Sequence, residues 1–231
     1  MKNILPLLFL FACATKNPDD LAKVDADIHN FQANVEKMNQ DFNKIPADVH
    51  NTQWVEQKLG HMFDVDQYMR KNMDLPFQNH YTEVEKKYFW QQFQPIAKSI
   101  DAIDRDELKS LLKVYEWINI RRFGEFGDNR AWLIVQHSDD DLHFQKKILH
   151  ILEKLYPRKE TSGQSYAYLF DRVAIAEKRP QRYGTQGSCA GGPGKWEAAP
   201  MENPAKVDIW RAGVGLAPMA EYKLMFKDIC H

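Results

Sequence analysis

Residues 136–141, QHSDDD, place a histidine and three carboxylates between two helix-like segments. The ordinary pKa of histidine lies nearest to neutral pH, so His137 is a candidate general acid or base, and Asp139 could orient its ring. Ser138 followed three residues later by Asp141 is also a capping arrangement for a helix start. The spacing suits metal ligation poorly and lacks the glycine of a calcium loop. We predict no metal and no cofactor, and the first two interpretations stay open.

Two further polar segments have side chains that suit a binding site. Asp66 and Arg70 are four residues apart, so they can pair on one helix face, with Gln67 beside them. Asp171 and Arg172 lie within an apolar run and precede a polar stretch. Buried Asp and Arg side chains require partners, so each cluster is either a structural ion pair or a site held for a ligand.

If these segments converge, they would suit a polar ligand that is anionic or carries amides, because Arg supplies a fixed fork of donors and Gln both a donor and an acceptor. The catalytic candidates are His137 and Asp139, with Arg70 or Arg172 stabilising developing negative charge. No nucleophile elbow, phosphate loop or dinucleotide fingerprint is present. The predicted ligand-binding residues are Asp66, Gln67, Arg70, Gln136, Arg172, Gln181, Tyr183, Thr185 and Gln186.

Three functions fit these residues. The first, which we favour, is a binding or interaction domain at the cell envelope, whose partner is a polar ligand or another envelope protein. The second is a hydrolase that uses His137 with activated water. The third is a purely structural protein in which the polar clusters hold the helices together.

The first residues of the chain predict export. Residues 1–12 contain one lysine and then an apolar stretch, which is typical of a signal peptide. Leu10-Phe11-Ala12-Cys13 resembles a bacterial lipobox, although Phe11 departs from the small residue usual there. We therefore expect cleavage before a lipidated Cys13, residues 13–20 as a linker, and a lipoprotein of the cell envelope. The outer membrane, with the protein facing the periplasm, is the expected location.

The cysteine count fits an oxidising compartment. Without Cys13, an even pair remains, Cys189 and Cys230. A disulfide between them would contribute roughly 4 kcal/mol in the chain-entropy model. Two free thiols are the alternative, because Cys189 lies in a glycine-rich loop.

Composition limits the classes of protein further. The 231 residues are 44% hydrophobic and carry a formal net charge of −1, so nothing in the overall charge predicts binding to nucleic acid. No apolar run reaches the roughly 18 residues that a membrane-spanning helix needs.

The elements that must position the polar residues are mainly helical. Residues 21–46 carry apolar side chains at alternating spacings of three and four, which predicts an amphipathic tether helix lying on its own domain. The alternative is a coiled coil that makes a homo-oligomer through residues 21–45. Residues 52–229 predict a single helical domain with one small β-hairpin near residues 183–201. Within it, a helix covers residues 52–73 and another starts at Asp104. Residues 121–129, which contain two glycines, predict a loop.

Four motifs in the sequence resemble those of a known family. They are Asp-Gln-x-x-Arg at residues 66–70, Gln-His-x-Asp at 136–139, Gln-x-Tyr-Gly-Thr-Gln at 181–186, and a C-terminal helix bearing Arg211. Together they resemble a bacterial family defined only as a domain of unknown function, over about residues 52–229. Lys178-Arg179 stands where that family tends to have glycine. The resemblance implies no reaction.

Overall fold

The computed structural model describes residues 21–190, 192 and 194–227. The signal peptide, the linker with Cys13, and Cys230 therefore lie outside the described residues. The fold is mainly helical with one small hairpin, as predicted. Its helices are α1 (Ala22–Phe42), α2 (Thr52–Asn72), α3 (Leu75–Gln78), α4 (Glu83–Leu111), α5 (Ile120–Gln136), α6 (Leu142–Leu155), α7 (Gly163–Ala176), α8 (Val207–Gly213) and α9 (Met219–Leu224).

The N-terminal helix packs on the rest of the chain. Val24, Ile28 and Phe31 of α1 are buried against α2 and α4. Phe31 stacks on the ring of Tyr68 with centroids 5.6 Å apart and tilts against Phe93 at 4.9 Å. The first part of the apolar seam is therefore buried within one chain, as expected for an amphipathic helix that lies on its own domain.

A second apolar core lies among α2, α5, α6 and α7. Its buried side chains include Leu59 from α2, Ile134 from α5 and Leu152 from α6. Because α2 contributes Leu59 to this core and Met69 to the first, it joins the two groups of helices. Polar side chains on α2 consequently lie where α4 and α5 approach it.

The C-terminal part is built around the small hairpin. Strands β1 (Gly187–Ser188) and β2 (Glu197–Ala198) pair antiparallel, with Gly187 opposite Ala198. Trp196, Met219 and Tyr222 form a third apolar cluster that packs α9 on the hairpin. The predicted C-terminal helix is two helices, because the chain turns at Gly215 with a φ of 75°.

Two local predictions were wrong. Asp104 does not start a helix but lies inside α4, which begins at the capping box of Thr82 and Glu85 and continues through Pro95. The segment expected as a loop at residues 121–129 belongs to α5, which is interrupted only at Gly124, where φ is 68°. Burial of the apolar face of α4, including Phe93 and Leu108, outweighs the local preference for a break.

Across the described ranges, no helix combines the length and apolar character needed to cross a membrane.

Candidate functional site

His137 and Asp66 form the centre of a polar site that is half-open to solvent, which we name the His137 cluster. His137 ends α5 as its C-cap, and its Nδ1 lies 2.7 Å from Oδ1 of Asp66 on α2. The side chain of Asp66 is 3% exposed and that of His137 is 17% exposed. A carboxylate partner requires that Nδ1 carries the proton, so Nε2 of the neutral ring is an acceptor. No described residue hydrogen-bonds Nε2.

Asp66 is held in its ionised form by its neighbours. Burial alone would raise its pKa, but the bonds from His137, Arg70 and Gln67 outweigh burial and the pKa is lowered. Nε2 of Gln67 donates to Oδ2 at 2.8 Å, and the Arg70 guanidinium donates to Oδ1 at 3.3 Å. The motif at residues 66–70 is thus one hydrogen-bonded unit on α2.

Asp101 on α4 completes this site, although it is not among the site residues predicted from the sequence. It forms an ion pair with the Arg70 guanidinium, which therefore bridges two carboxylates. Burial raises the pKa of Asp101, and the charge of Arg70 offsets part of that rise. Nothing in the sequence near Asp101 marks it, since only the packing of α2 against α4 brings it to Arg70.

The same groups could hold a divalent cation. One donor atom from each of Asp66, Asp101 and His137 lies within 4.8 Å of the others, a set of two carboxylates and one imidazole. In the present arrangement Arg70 lies between the two carboxylates, so an ion would have to displace it. The predicted absence of a metal stays a prediction.

The sequence led us to expect that Asp139 orients the ring of His137, but the two side chains are not paired. The side chain of Asp139 is 63% exposed, and its two oxygens each lie 3.1 Å from the same guanidinium nitrogen of Arg172 on α7. Gln145 also donates to Asp139 at 3.2 Å and to the backbone carbonyl of Gln136 at 3.3 Å. Asp139 therefore fixes the turn after α5, and Asp66 takes the role of orienting carboxylate.

The helix start within QHSDDD also differs from the predicted one. Asp141, and not Ser138, caps α6 by accepting a hydrogen bond from the backbone N of Phe144 at 3.0 Å. The Ser138 hydroxyl donates instead to the carbonyl of Ile134 at 2.8 Å. Asp140 pairs with Arg105, which also lies 3.9 Å from Asp141, whereas Asp139 pairs with Arg172 on α7.

The loop at residues 181–186, which we name the QRYGTQ loop, is wrapped around Asp171. This carboxylate is 0% exposed and accepts from the backbone N of Arg182, Tyr183 and Thr185 at 2.8, 3.0 and 2.9 Å. It also accepts from the Thr185 hydroxyl at 3.0 Å. Burial raises the pKa of Asp171, and the backbone bonds offset part of that rise. Asp171 is therefore a structural anchor.

The two glutamines of the QRYGTQ loop satisfy each other and the backbone. Gln181 is fully buried and donates to the carbonyls of Gln186 and Ala199 at 2.7 and 2.9 Å. Its Oε1 accepts from the backbone N of Gln186 at 2.9 Å. Nε2 of Gln186 donates to the hydroxyl of Thr185 at 3.1 Å. The amide of Gln181 is thus engaged on both sides within the protein.

Arg211 holds the QRYGTQ loop from the other side. It is 0% exposed, donates to the carbonyl of Tyr183 at 2.6 Å and to that of Ala217 at 2.5 Å, and lies 4.6 Å from the Tyr222 ring centroid. Burial lowers its pKa. Gly184 allows the close approach, because its φ is +66° and an added Cβ would meet Met219 Sδ at 2.8 Å.

The predicted site residues therefore form two groups. Asp66, Gln67, Arg70 and His137 converge at a half-open surface, where Arg70 is 28% exposed at the side chain. Gln136 and Arg172 border that surface through the turn fixed by Asp139. The other group belongs to the QRYGTQ loop, where Gln181, Tyr183 and Thr185 are buried and Gln186 is half-buried.

Fold and site define a mainly helical protein whose three central helices bring a histidine and two carboxylates to one partly exposed cluster. The chain belongs to a family of unknown function, DUF6624, whose model matches residues 54–230. Helix α1 thus precedes the matched region. Neither curated proteins nor solved structures include a significant match to the chain.

Proposed function

We propose that this protein binds a small polar ligand, anionic or amide-bearing, at the half-open cluster around His137. The observation that carries the proposal is the ring of His137, fixed at Nδ1 by a buried carboxylate while Nε2 has no partner among the described residues. Nε2 is an acceptor for an N–H or O–H group, and the adjacent Arg70 is a donor for a carbonyl or anionic oxygen. An amide or a protonated acid offers both.

A second candidate function, hydrolysis, is favoured by the same pairing. A histidine oriented by a buried carboxylate is the arrangement of a general base, and a water at Nε2 would lose its proton to the ring. Arg70 would then stabilise the negative charge that develops on the attacked group. The attacking oxygen would come from that water, since no Ser, Thr or Cys side chain hydrogen-bonds His137 in the described chain.

The two functions and a purely structural role are separated by one set of variants. His137→Ala and Arg70→Gln would be compared with His150→Ala, which changes a histidine that is 67% exposed on α6. Wild type would be screened for binding and turnover with peptidoglycan fragments, esters and phosphodiesters. Saturable binding lost in the first two variants at unchanged melting temperature supports the proposal. Turnover lost in His137→Ala establishes the hydrolase, whereas lost stability without either activity supports the structural role.

We also propose that the protein is a lipoprotein of the bacterial cell envelope, anchored through Cys13 to the outer membrane and facing the periplasm. The support is the sequence of residues 1–13 and its lipobox-like end. Incorporation of a labelled fatty acid into wild type, and its absence from Cys13→Ala, is the expected result. Equal labelling, or none in either protein, would refute the lipid anchor.

A further inference from the structure

A second polar cavity lies between α1, α2 and α4, and none of the residues that line it belongs to the His137 cluster. Its volume is about 320 Å³, within the size range of sites for small molecules. Polar side chains from all three helices and from the residue that ends α1 line it: Glu36, Asn39, Asn43, Lys58, His61, Asp104 and Glu107.

Asp104 is the side chain that requires an explanation. The residue is 7% exposed, its carboxyl group lines the cavity, and within the described chain no donor hydrogen-bonds it. A buried carboxylate without a partner is strongly unfavourable, so it must either take up a proton or meet a cation. Lys58, the nearest ammonium group, forms its ion pair with Glu107.

The other groups around the cavity do not supply the missing charge. His61 bonds Asn39 through Nε2 at 3.0 Å and stacks on Phe42 with ring centroids 4.5 Å apart. Burial lowers the pKa of His61, which favours its neutral form. Lys58 balances Glu107, so the negative charge of an ionised Asp104 stays unmatched inside the cavity.

The negative groups of this cavity are not arranged as metal ligands. Among the described residues, the donor atoms that converge for a metal ion belong to Asp66, Asp101 and His137, not to Asp104 and Glu107. Neutral amides at Asn39 and Asn43 add donors and acceptors that suit an organic molecule. A small organic cation fits these features better than a metal ion.

We propose that this cavity is a binding site for a small organic amine, whose ammonium group pairs with the Asp104 carboxylate. The amides of Asn39 and Asn43 contact the polar remainder of the molecule. Both residues precede the family-matched region, so the site depends on α1 and the turn after it. The proposal does not depend on any activity at His137.

Calorimetric titration of the full-length chain with propylamine and ethanolamine tests the site, with propanol as the uncharged control. We expect saturable binding of the amines and none of propanol. Asp104→Asn should weaken amine binding by at least about tenfold, because the buried charge is lost. Asp106→Asn, whose side chain is 70% exposed, is the matched control and should bind as wild type does.

A cavity-blocking variant keeps the test independent of Asp104. Asn43→Leu places an apolar side chain at the exposed rim of the cavity and should also abolish amine binding. Burial raises the pKa of Asp104 to about 8 in the ligand-free protein, and the carboxylates of Glu107, Asp66 and Asp101 add to that rise while Lys58 opposes it. Amine binding should therefore strengthen from about pH 6 to about pH 9. Absence of amine binding by wild type, equal binding by Asp104→Asn, or equal binding of propanol would overturn the proposal.

Discussion

Replacing Asp171 by Asn tests whether the QRYGTQ loop is a structural element. The carboxylate accepts from three backbone N–H groups and from one hydroxyl, through both of its oxygens. The Asn amide keeps one acceptor oxygen and presents an NH₂ group where the second oxygen was. Either amide orientation therefore places a donor against a donor in a fully buried position.

The magnitude follows from the bonds that are lost. A backbone N–H group left unsatisfied in the interior costs about 1–3 kcal/mol, and the remaining bonds lose the strength given by a charged acceptor. We expect Asp171→Asn to lower the free energy of unfolding by about 4 kcal/mol. For a chain of this length, that corresponds to a fall in melting temperature of roughly 8–16 °C.

Urea unfolding followed by circular dichroism measures the change, with Asp139→Asn as the matched control. Asp139 also pairs with a side chain of α7, but its own side chain is 63% exposed, so its replacement should cost less than about 1 kcal/mol. A loss for Asp171→Asn no larger than that of the control would refute the structural role of the loop and reopen it as a binding element.

Three further results are expected. The unfolded state releases the Asp104 proton near pH 4 and the folded state near pH 8, so the free energy of unfolding of wild type should fall as pH rises between them. Asp104→Asn should not show this fall. Urea unfolding at several pH values measures the fall, and the pKa shift sets its upper limit at about 6 kcal/mol. Arg211→Met leaves the buried carbonyl of Tyr183 without its donor and should lower the free energy of unfolding in urea by about 3 kcal/mol. An unchanged free energy of unfolding would show that the guanidinium is dispensable. We predict that Cys189 is bridged to Cys230, so Cys189→Ser should lower the melting temperature of oxidised protein, while the reduced proteins should melt together.

Helical periodicity predicted much of the fold because most helices have one apolar face. The helix predicted over residues 52–73 agrees with α2 almost to the residue, because Asn51 caps it and its apolar side chains recur at helical spacing. The prediction was wrong at Asp104 because a cap signal is local and weak. Tertiary packing along α4, from Phe93 to Leu108, outweighs it.

The candidate site was predictable by residue type but not by partner. The sequence marked His137, Asp66 and Arg70 as polar groups in apolar surroundings, and the structure places them together. It paired His137 with Asp139 because they are neighbours in the chain, whereas the actual partner is 71 positions away. Asp101 carried no signal, because its role depends on how α4 packs against α2. Periodicity and residue spacing do not predict contacts between helices that are far apart in the chain.

Consecutive residues on α7 connect the QRYGTQ loop to the half-open site. Asp171 points inward and anchors the QRYGTQ loop, while Arg172 reaches the turn that follows His137 and pairs there with Asp139. Successive positions on a helix are about 100° apart, so one helix can serve both groups. Helix α7 is held by its apolar side chains in the second core, including Leu169 and Val173, and by the loop that is bonded to Asp171. The position of Arg172 beside the His137 turn therefore depends in part on that anchor. The buried polar residues therefore support the site indirectly, by fixing the helix that positions its edge.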